Sequence, residues 1–203
     1  MKILVIGSGG REHAIVWKLK QSPKLPKIYC APGNAGIASD AECVDIKADD
    51  IKGLLDFALK EKIDLTIVGP EVPLEAGIVD RFMRKGLNIF GPAKEMAKLE
   101  ASKVYAKEAM QRFAIPTASF EVFDSADKAI EWTRRSRLFD THYPVVVKAD
   151  GLAAGKGVVI CKNRQEAQMA IEDMMVRKVF VRAGERIIIE ECLKGEEASI
   201  LAV

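Results

Sequence analysis

Short apolar runs alternate with stretches of helical periodicity over the first 92 residues. The runs have the length of buried strands and lie at residues 3–6, 27–30, 65–68 and 87–90. Apolar residues recur at three- and four-residue spacing from Ile51 to Leu59, which predicts an amphipathic helix over 51–62, and a further helix is predicted over 74–85. Alternating strands and helices favour an α/β domain with a doubly wound parallel sheet.

The pattern changes after residue 92. Residues 93–114 have a charged, helical pattern, and Pro116 ends the second helix predicted there. Further strands are predicted at 119–123, 145–147, 158–160 and 186–191, and helices at 125–135 and 165–175. We therefore predict an N-terminal α/β domain over residues 1–118, with linker helices from about residue 93, and a smaller α+β domain over residues 119–191.

Composition and charge argue against several classes of protein. The 203 residues include 31 basic and 29 acidic side chains, so the chain has no basic excess that would indicate a nucleic-acid partner. The four cysteines, Cys30, Cys43, Cys161 and Cys192, form no C-x-x-C pair, which disfavours a zinc ribbon and favours a reducing, cytoplasmic setting. No apolar run has the length of a signal-peptide core or a membrane span, so no membrane partner is expected.

Residues 144–160 carry the densest candidate chemistry. Three valines lead into Lys148, and a loop with Gly151, Gly155 and Gly157 follows before a second apolar run. Glycines allow a backbone to approach phosphate oxygens, and Lys148 and Lys156 add positive charge. The spacing is not that of a P-loop, because three residues separate Gly151 from Gly155 and a strand follows. We predict a phosphate-covering loop between two antiparallel strands; the alternative is a plain hairpin with a flexible tip.

Three loops at the predicted carboxyl ends of strands are candidate ligand sites, because open α/β sheets bind ligands at that edge. They contain Gly9, Gly10 and Arg11, then Asn34, and then Glu71. The N–H groups at a helix N-terminus, with Arg11 beside them, favour a phosphorylated ligand. A tight turn with an exposed arginine is the alternative there, and Glu71 is alternatively an acid that stabilises a helix N-terminus.

The opening strand, turn and helix also suggest a dinucleotide site, which makes an NAD-dependent oxidoreductase a rival interpretation. The G-x-G-x-x-G pattern fails, however, because its third glycine falls at Glu12. The acidic residue expected about 20 residues further on would fall near Cys30 or Ala31, and neither side chain can hold a ribose hydroxyl as a carboxylate does. A smaller phosphorylated ligand is therefore favoured.

Acidic residues are concentrated near the end of the chain. The predicted strand 186–191 ends in Glu190 and Glu191, and Glu196 and Glu197 follow. Such a run is most often a solvated charged surface. Its position after a buried strand, in the same small domain as Lys148, makes a functional role the competing interpretation.

Seven segments resemble the phosphoribosylamine–glycine ligase family of the ATP-grasp superfamily. In chain order they are GSGGREHA at 7–14, APGNAG at 31–36, VGPEVPL at 68–74, FGP at 90–92, LEASK at 99–103, KADGLAAGKGV at 148–158 and IEECLKGEEAS at 189–199. Seven motifs in register are much more specific than any single one. The resemblance implies a pre-ATP-grasp α/β domain, an ATP-grasp lid over residues 119–191, and the start of the ATP-grasp core at 192–203.

The resemblance also implies an activity and a site. Members of the family phosphorylate the carboxylate of glycine with ATP, and the amine of 5-phosphoribosylamine attacks the glycyl phosphate, in de novo purine biosynthesis. By similarity, Lys103 and Lys148 contact the ATP phosphates, and Lys148 is the catalytic residue. The other nucleotide-binding residues implied by similarity lie in the covering loop or hold adenine and ribose, and are Gly151, Gly155, Lys156, Gly157, Glu190, Cys192 and Glu197. Those implied on the phosphoribosylamine side are Gly9, Gly10, Arg11, Asn34 and Glu71.

The sequence departs from the family pattern in two places. Family members commonly carry FGDAG in the lid, whereas this chain has FVRAG at 180–184, which bears on lid closure. The E-x-N-x-R-type segment that supplies Mg²⁺ ligands is absent from these residues, so the metal ligands are expected in a C-terminal half and the chain is expected to be a fragment. A non-catalytic nucleotide-binding module and an ATP-grasp ligase for another substrate are the alternatives, and the pattern predicts no oligomeric state.

Overall fold

The computed structural model describes residues 1–135, 144–153 and 156–200, and the chain divides into two compact units, Met1–Glu100 and Ala101–Val203. Each unit has its own sheet and its own core.

The first unit contains a five-stranded parallel sheet in the order β3-β2-β1-β4-β5. Its strands are β1 (Lys2–Gly7), β2 (Lys27–Pro32), β3 (Glu42–Cys43), β4 (Leu65–Val68) and β5 (Ile89–Phe90). Its helices are α1 (Gly10–Lys20), α2 (Ile51–Glu61), α3 (Glu71–Glu75), α4 (Ile78–Met83) and α5 (Lys94–Ala101). The predicted doubly wound sheet is confirmed.

Strand β1 shows why the sheet is covered on both faces. Leu4 and Ile6 pack into one core with residues of α2 and α4, whereas Ile3 and Val5 pack into a second core with Val16 of α1. Successive side chains of a strand point to opposite faces, so a continuous apolar run requires an apolar layer on each side.

The prediction of a single helix over 74–85 was wrong. The structure has two short helices, α3 and α4, separated at Gly77, whose φ of 83° lies in the left-handed region and interrupts the helix. The sequence pattern also missed β3, because a two-residue strand of Glu42 and Cys43 carries no periodic signal.

The second unit contains a four-stranded antiparallel sheet in the order β6-β9-β7-β8. Its strands are β6 (Phe120–Phe123), β7 (Val145–Ala149), β8 (Val158–Cys161) and β9 (Ile187–Glu191). Its helices are α6 (Lys103–Arg112), α7 (Ala126–Arg135) and α8 (Arg164–Ile171), the last continuing into a π-helical segment, Glu172–Val176, and a 3₁₀ turn follows at Val181–Gly184. The antiparallel pairing of β7 with β8 confirms the predicted strands around the glycine-rich loop.

The two faces of this sheet have different roles. Val145 and Val147 of β7 lie on the face that packs against α7 and α8. Lys148 alternates to the opposite face and shares it with Glu190, since Val147 is paired with Ile189 and Val146 with Glu190. Pairing and alternation together place a lysine and a glutamate beside each other on one face.

The division between the two units falls after Glu100, within the linker-helix region predicted from about residue 93. Helix α6 belongs to the second unit, where Ser102 and Val104 hydrogen-bond to Asp150 and α6 contacts β9. The continuous charged helical pattern of residues 93–114 gave no sign of this change. Within the described residues, no helix is long and apolar enough to cross a membrane.

Candidate functional site

A cluster of three charged side chains lies on one face of the second sheet. Glu190 of β9 has a side chain only 7% exposed and forms ion pairs with two lysines. One oxygen, Oε1, contacts the Nζ of Lys148 on β7, and the other, Oε2, lies 2.6 Å from the Nζ of Lys107 on α6. Two cations around one buried carboxylate leave a local excess of positive charge, which favours an incoming anion.

Asp150 fixes the start of α6 to the end of β7. Its carboxylate accepts hydrogen bonds from Ser102 Oγ (2.8 Å), the backbone N–H of Val104 (2.8 Å) and Arg186 Nη2 (2.6 Å). The backbone N–H of Lys103 donates to the Asp150 carbonyl, and Lys103 Nζ donates to the carbonyl of Gly151 at 3.2 Å. The structure therefore holds Lys103 beside the first residue of the glycine-rich loop.

Close backbone approaches explain two of the loop glycines. A Cβ on Gly157 would lie 2.7 Å from the Cβ of Ala153, and one on Gly151 would lie 3.0 Å from the Cα of Ala183. Lys156 is exposed, and Gly155 lies outside the described residues. Gly157 thus lets the loop pack closely on itself, and Gly151 lets it approach the turn at Val181–Gly184.

Of the three residues predicted to bind adenine and ribose, the structure places one in the charged cluster. Glu190 lies within the charged cluster, whereas Cys192 follows the end of β9 and is partly exposed. Glu197 is exposed in an irregular segment beyond the sheet, so the structure does not place its side chain in the cluster.

In the first unit, the residues predicted at strand ends lie at the carboxyl edge of the sheet, near the point where the strand order reverses. Strand β1 lies between β2 and β4, and ligands of open α/β sheets bind at such a switch point. Arg11, after β1, forms an ion pair of 2.8 Å with Glu71, after β4. This bond holds the pKa of Glu71 below its usual value, and raises the pKa of Arg11.

A cavity of about 380 Å³ opens beside this ion pair. Its walls are formed by Arg11, Gly69, Glu71, Leu74, Pro92, Ala97 and Glu100. The lining combines one cation and two carboxylates with apolar walls, a surface that suits a small polar ligand bearing both charges.

Glu12 occupies the place of the missing third glycine. Its side chain is buried, and Oε2 accepts the N–H of Gly9 at 2.6 Å. A Cβ on Gly69 would lie only 2.0 Å from Oε1, so the carboxylate fills the space between two strand-end loops. A glutamate side chain in this place removes the close helix-to-strand packing that the third glycine of a dinucleotide site provides.

Asn34 joins the loop after β2 to the loop after β1. Its side-chain amide donates to the carbonyl of Ser8 at 2.7 Å, and its Oδ1 accepts the N–H of Ile37 at 2.9 Å. Gly10 is the first residue of α1, with open space where a Cβ would project. The five residues predicted for this edge therefore lie in the strand-end loops or in the first turn of the helix that follows, although Glu12 and Glu71 already bond to Gly9 and Arg11.

The sequence analysis missed Lys107 and Asp150. Lys107 follows Lys103 by four residues, a spacing that puts two side chains on one face of a helix and was the available signal. Asp150 gave no such signal, because its partners at 102–104 and 186 are distant in sequence.

The described residues do not form a candidate metal site. Across residues 1–135, 144–153 and 156–200, no group of three or more His, Cys, Asp or Glu side chains could hold a metal ion. The Mg²⁺ of ATP-grasp enzymes requires several oxygen ligands, so these residues do not fit it by themselves.

An α/β unit followed by a small antiparallel sheet with a lysine-bearing glycine loop defines an ATP-grasp protein. The crystal structure of biotin carboxylase from Campylobacter jejuni in complex with β,γ-ATP shares this fold at a TM-score of 0.74 and 18% identity, over 95% of this chain and 45% of that one. Family models describe both units: the phosphoribosylglycinamide synthetase N domain matches residues 1–100, and its ATP-grasp (A) domain matches residues 101–203. The chain belongs to the phosphoribosylglycinamide synthetase family, which confirms the resemblance identified from the sequence.

Relatives in that family cover the whole chain. It is 54% identical to phosphoribosylamine–glycine ligase of Caldanaerobacter subterraneus over 202 residues, and 52% identical to that of Halalkalibacterium halodurans over 202 residues. The structure of phosphoribosylamine–glycine ligase from Thermotoga maritima matches 97% of this chain at a TM-score of 0.71 and 30% identity. The chain spans about half the length of these relatives, with 47%, 46% and 45% of each covered.

Proposed function

We propose that the chain forms the N-terminal part of an ATP-dependent carbon–nitrogen ligase that joins glycine to 5-phosphoribosylamine through a glycyl phosphate. The observation that carries this proposal is the pairing of Lys148 with the buried Glu190, on the sheet face next to the start of α6. Family membership supplies the substrates, which are those in the names of the relatives.

The chemistry requires activation of a carboxylate. The γ-phosphoryl group of ATP passes to a carboxylate oxygen of glycine, releasing ADP. The amine of phosphoribosylamine then attacks the carbonyl carbon, phosphate leaves, and the amine loses a proton. Phosphoryl transfer depends mainly on positioning and charge neutralisation, which are the roles we assign to Lys103 and Lys148.

In this proposal the glycine-rich loop covers the phosphates. Its backbone N–H groups and Lys156 supply donors close to the nucleotide, and Gly151 anchors the loop beside Lys103. Glu190 and the backbone at Cys192 face the adenine, and Glu197 the ribose, by similarity to the family. The described residues do not by themselves fit Mg²⁺.

The cavity beside Arg11 and Glu71 is the proposed place for phosphoribosylamine. A phosphate would replace Glu71 as the partner of Arg11, and the N-terminus of α1 would add its dipole. Glu71 and Glu100 would then face the ammonium or hydroxyl groups of the ligand.

The test measures ADP release from Mg²⁺–ATP, omitting glycine and phosphoribosylamine in turn, together with ADP binding by calorimetry. We expect ADP to bind, and Lys148→Met to weaken binding by roughly tenfold, the loss of one charge-assisted contact. Lys128→Met is the matched control, because Lys128 is an exposed lysine on α7, and it should leave binding unchanged.

The possible results separate the parts of the proposal. ADP release that requires both substrates supports the complete ligase. ADP binding without release contradicts ligation by the 203-residue chain and retains the nucleotide site. Tight binding of NADH in place of ADP would contradict the proposal as a whole.

A further inference from the structure

We propose that Lys107 is a positioning residue that frees Lys148 for the nucleotide phosphates by remaining as the counter-ion of Glu190. This inference rests on the proposed nucleotide site and adds a residue to it. The essential observation is that one buried carboxylate binds both lysines at once, each through a different oxygen.

The ammonium group of Lys107 is held in place by several contacts. Its ammonium lies 2.6 Å from Glu190 Oε2 and donates to Thr117 Oγ1 at 2.7 Å and to the carbonyl of Ala118 at 3.3 Å. Two of its three N–H donors therefore have acceptors in the 117–118 segment, and the contact with Glu190 is an ion pair. The side chain is only 12% exposed and lies 5.4 Å from the centre of the Phe120 ring.

Lys148 has the properties of the mobile partner. Its side chain is 26% exposed, about twice the fraction of Lys107. It lies on β7 directly before the loop that begins at Asp150 and Gly151, whereas the Lys107 ammonium is directed at Glu190 and the 117–118 segment. A phosphate that reaches this face therefore meets Lys148 first.

Moving Lys148 from Glu190 to a phosphate would be unfavourable if Lys107 were absent. When Lys148 turns to a phosphate, Glu190 remains buried with a side chain 7% exposed. A buried carboxylate without a cation is strongly unfavourable, so Lys148 alone would be held back by Glu190. With Lys107 still bound to Oε2, the carboxylate stays paired and Lys148 is released at low cost.

The experiment compares ADP with adenosine, because only ADP carries the phosphates. Affinities of the 203-residue protein for both are measured by calorimetry in the wild type and in Lys107→Met, Glu190→Gln and the double variant. We expect Lys107→Met to lower the ratio of ADP to adenosine affinity by roughly tenfold or more, since Glu190 then retains Lys148. In the double variant the ratio should return to the wild-type value, because the competing carboxylate is neutral.

The ratio distinguishes positioning from general support of the structure. A purely structural role of Lys107 would weaken both ligands equally and leave the ratio unchanged, which would overturn the inference. A double variant that stays as defective as Lys107→Met would overturn it too. Lys128→Met again serves as the control for loss of a lysine.

A second readout needs no ligand and keeps this inference separate from the proposed function. Acetylation of Lys148 by an N-hydroxysuccinimide ester, followed by peptide mass spectrometry, measures how far pairing with Glu190 keeps its amine from the reagent. We expect slower acetylation in Lys107→Met, where Lys148 is the remaining counter-ion of Glu190, and recovery in the double variant. Unchanged acetylation in both would refute the charge sharing, whereas absent ADP binding with the expected acetylation would refute only the nucleotide site.

Discussion

Val181 has a backbone conformation that favours glycine. Its φ is 49°, in the left-handed region where a β-branched side chain is strained, and its side chain is 72% exposed. In the lid motif FGDAG of related sequences this position is a glycine, and the following residues form the turn Val181–Gly184. One of the two changes in this motif, Val181, is thus a backbone strain.

We expect Val181→Gly to stabilise the protein by about 1 kcal/mol, because relief of the left-handed strain exceeds the added flexibility of the unfolded chain. Urea unfolding followed by circular dichroism measures the change. Val179→Gly is the matched control: Val179 is also largely exposed, at 54%, and does not have a positive φ, so the same change should destabilise. A loss of stability in Val181→Gly would contradict this account.

At the scale of elements, α6 is held in place by polar contacts rather than by a broad apolar face. Val104 is its one fully buried residue, and Ser102 caps the helix by accepting the N–H of Tyr105 at 3.0 Å. Asp150 adds a carboxylate at the same end, where a helix N-terminus favours negative charge. The two lysines of the site on α6 therefore depend on one aspartate after β7.

Asp150→Ala is expected to destabilise the protein by about 2–4 kcal/mol, because it leaves the Val104 N–H, the Ser102 hydroxyl and Arg186 without this acceptor. Thermal or urea unfolding measures it. In the control, Asp173→Ala, an exposed pair with Arg177 is lost, and the cost should stay within about 0.5 kcal/mol. Equal effects of the two substitutions would show that Asp150 does not organise α6.

Much of the fold could be predicted from sequence, and the reasons differ between elements. Strand β1 was identifiable because a sheet covered on both faces needs an unbroken apolar run, and the loop after β7 because its glycines are closely spaced. The break at Gly77 was not identifiable because it depends on the backbone conformation of one residue, which the apolar spacing does not show. The assignment of α6 to the second unit depends on contacts with Asp150, which is distant in sequence. Lys148 was predicted from the glycine-rich loop and Lys103 from the family resemblance, whereas Lys107 was missed although it follows Lys103 at helical spacing.

At the scale of the whole molecule, each unit contains one tryptophan. Trp17 lies on α1 in the first unit, and Trp132 lies on α7 in the second, 5.5 Å from the ring of Phe123. Leu4 is fully buried in the core of the first unit, and Asp150 lies in the second. The two indole signals can therefore report on the two units separately.

In a Trp132→Phe background, Trp17 fluorescence reports the urea unfolding of the first unit. We expect Leu4→Ala to lower the free energy of unfolding measured in this way by about 2–5 kcal/mol, and the urea midpoint with it. In the Trp17→Phe background, the same substitution should leave the Trp132 midpoint unchanged, and Asp150→Ala should shift it. The reason is that distant changes in separate cores usually act independently. Equal shifts of both midpoints by Leu4→Ala would contradict the expectation.

The strand order of the second sheet also determines when its strands can pair during translation. Strand β9, the last of this sheet to emerge, lies in its interior between β6 and β7 and pairs with both. The edges of β6 and β7 that pair with β9 therefore stay unpaired until residue 191 has left the exit tunnel, although β7 can already pair with β8. The first sheet is complete in sequence at Phe90, so its folding can begin roughly 100 residues earlier, during translation at about 5–20 residues per second.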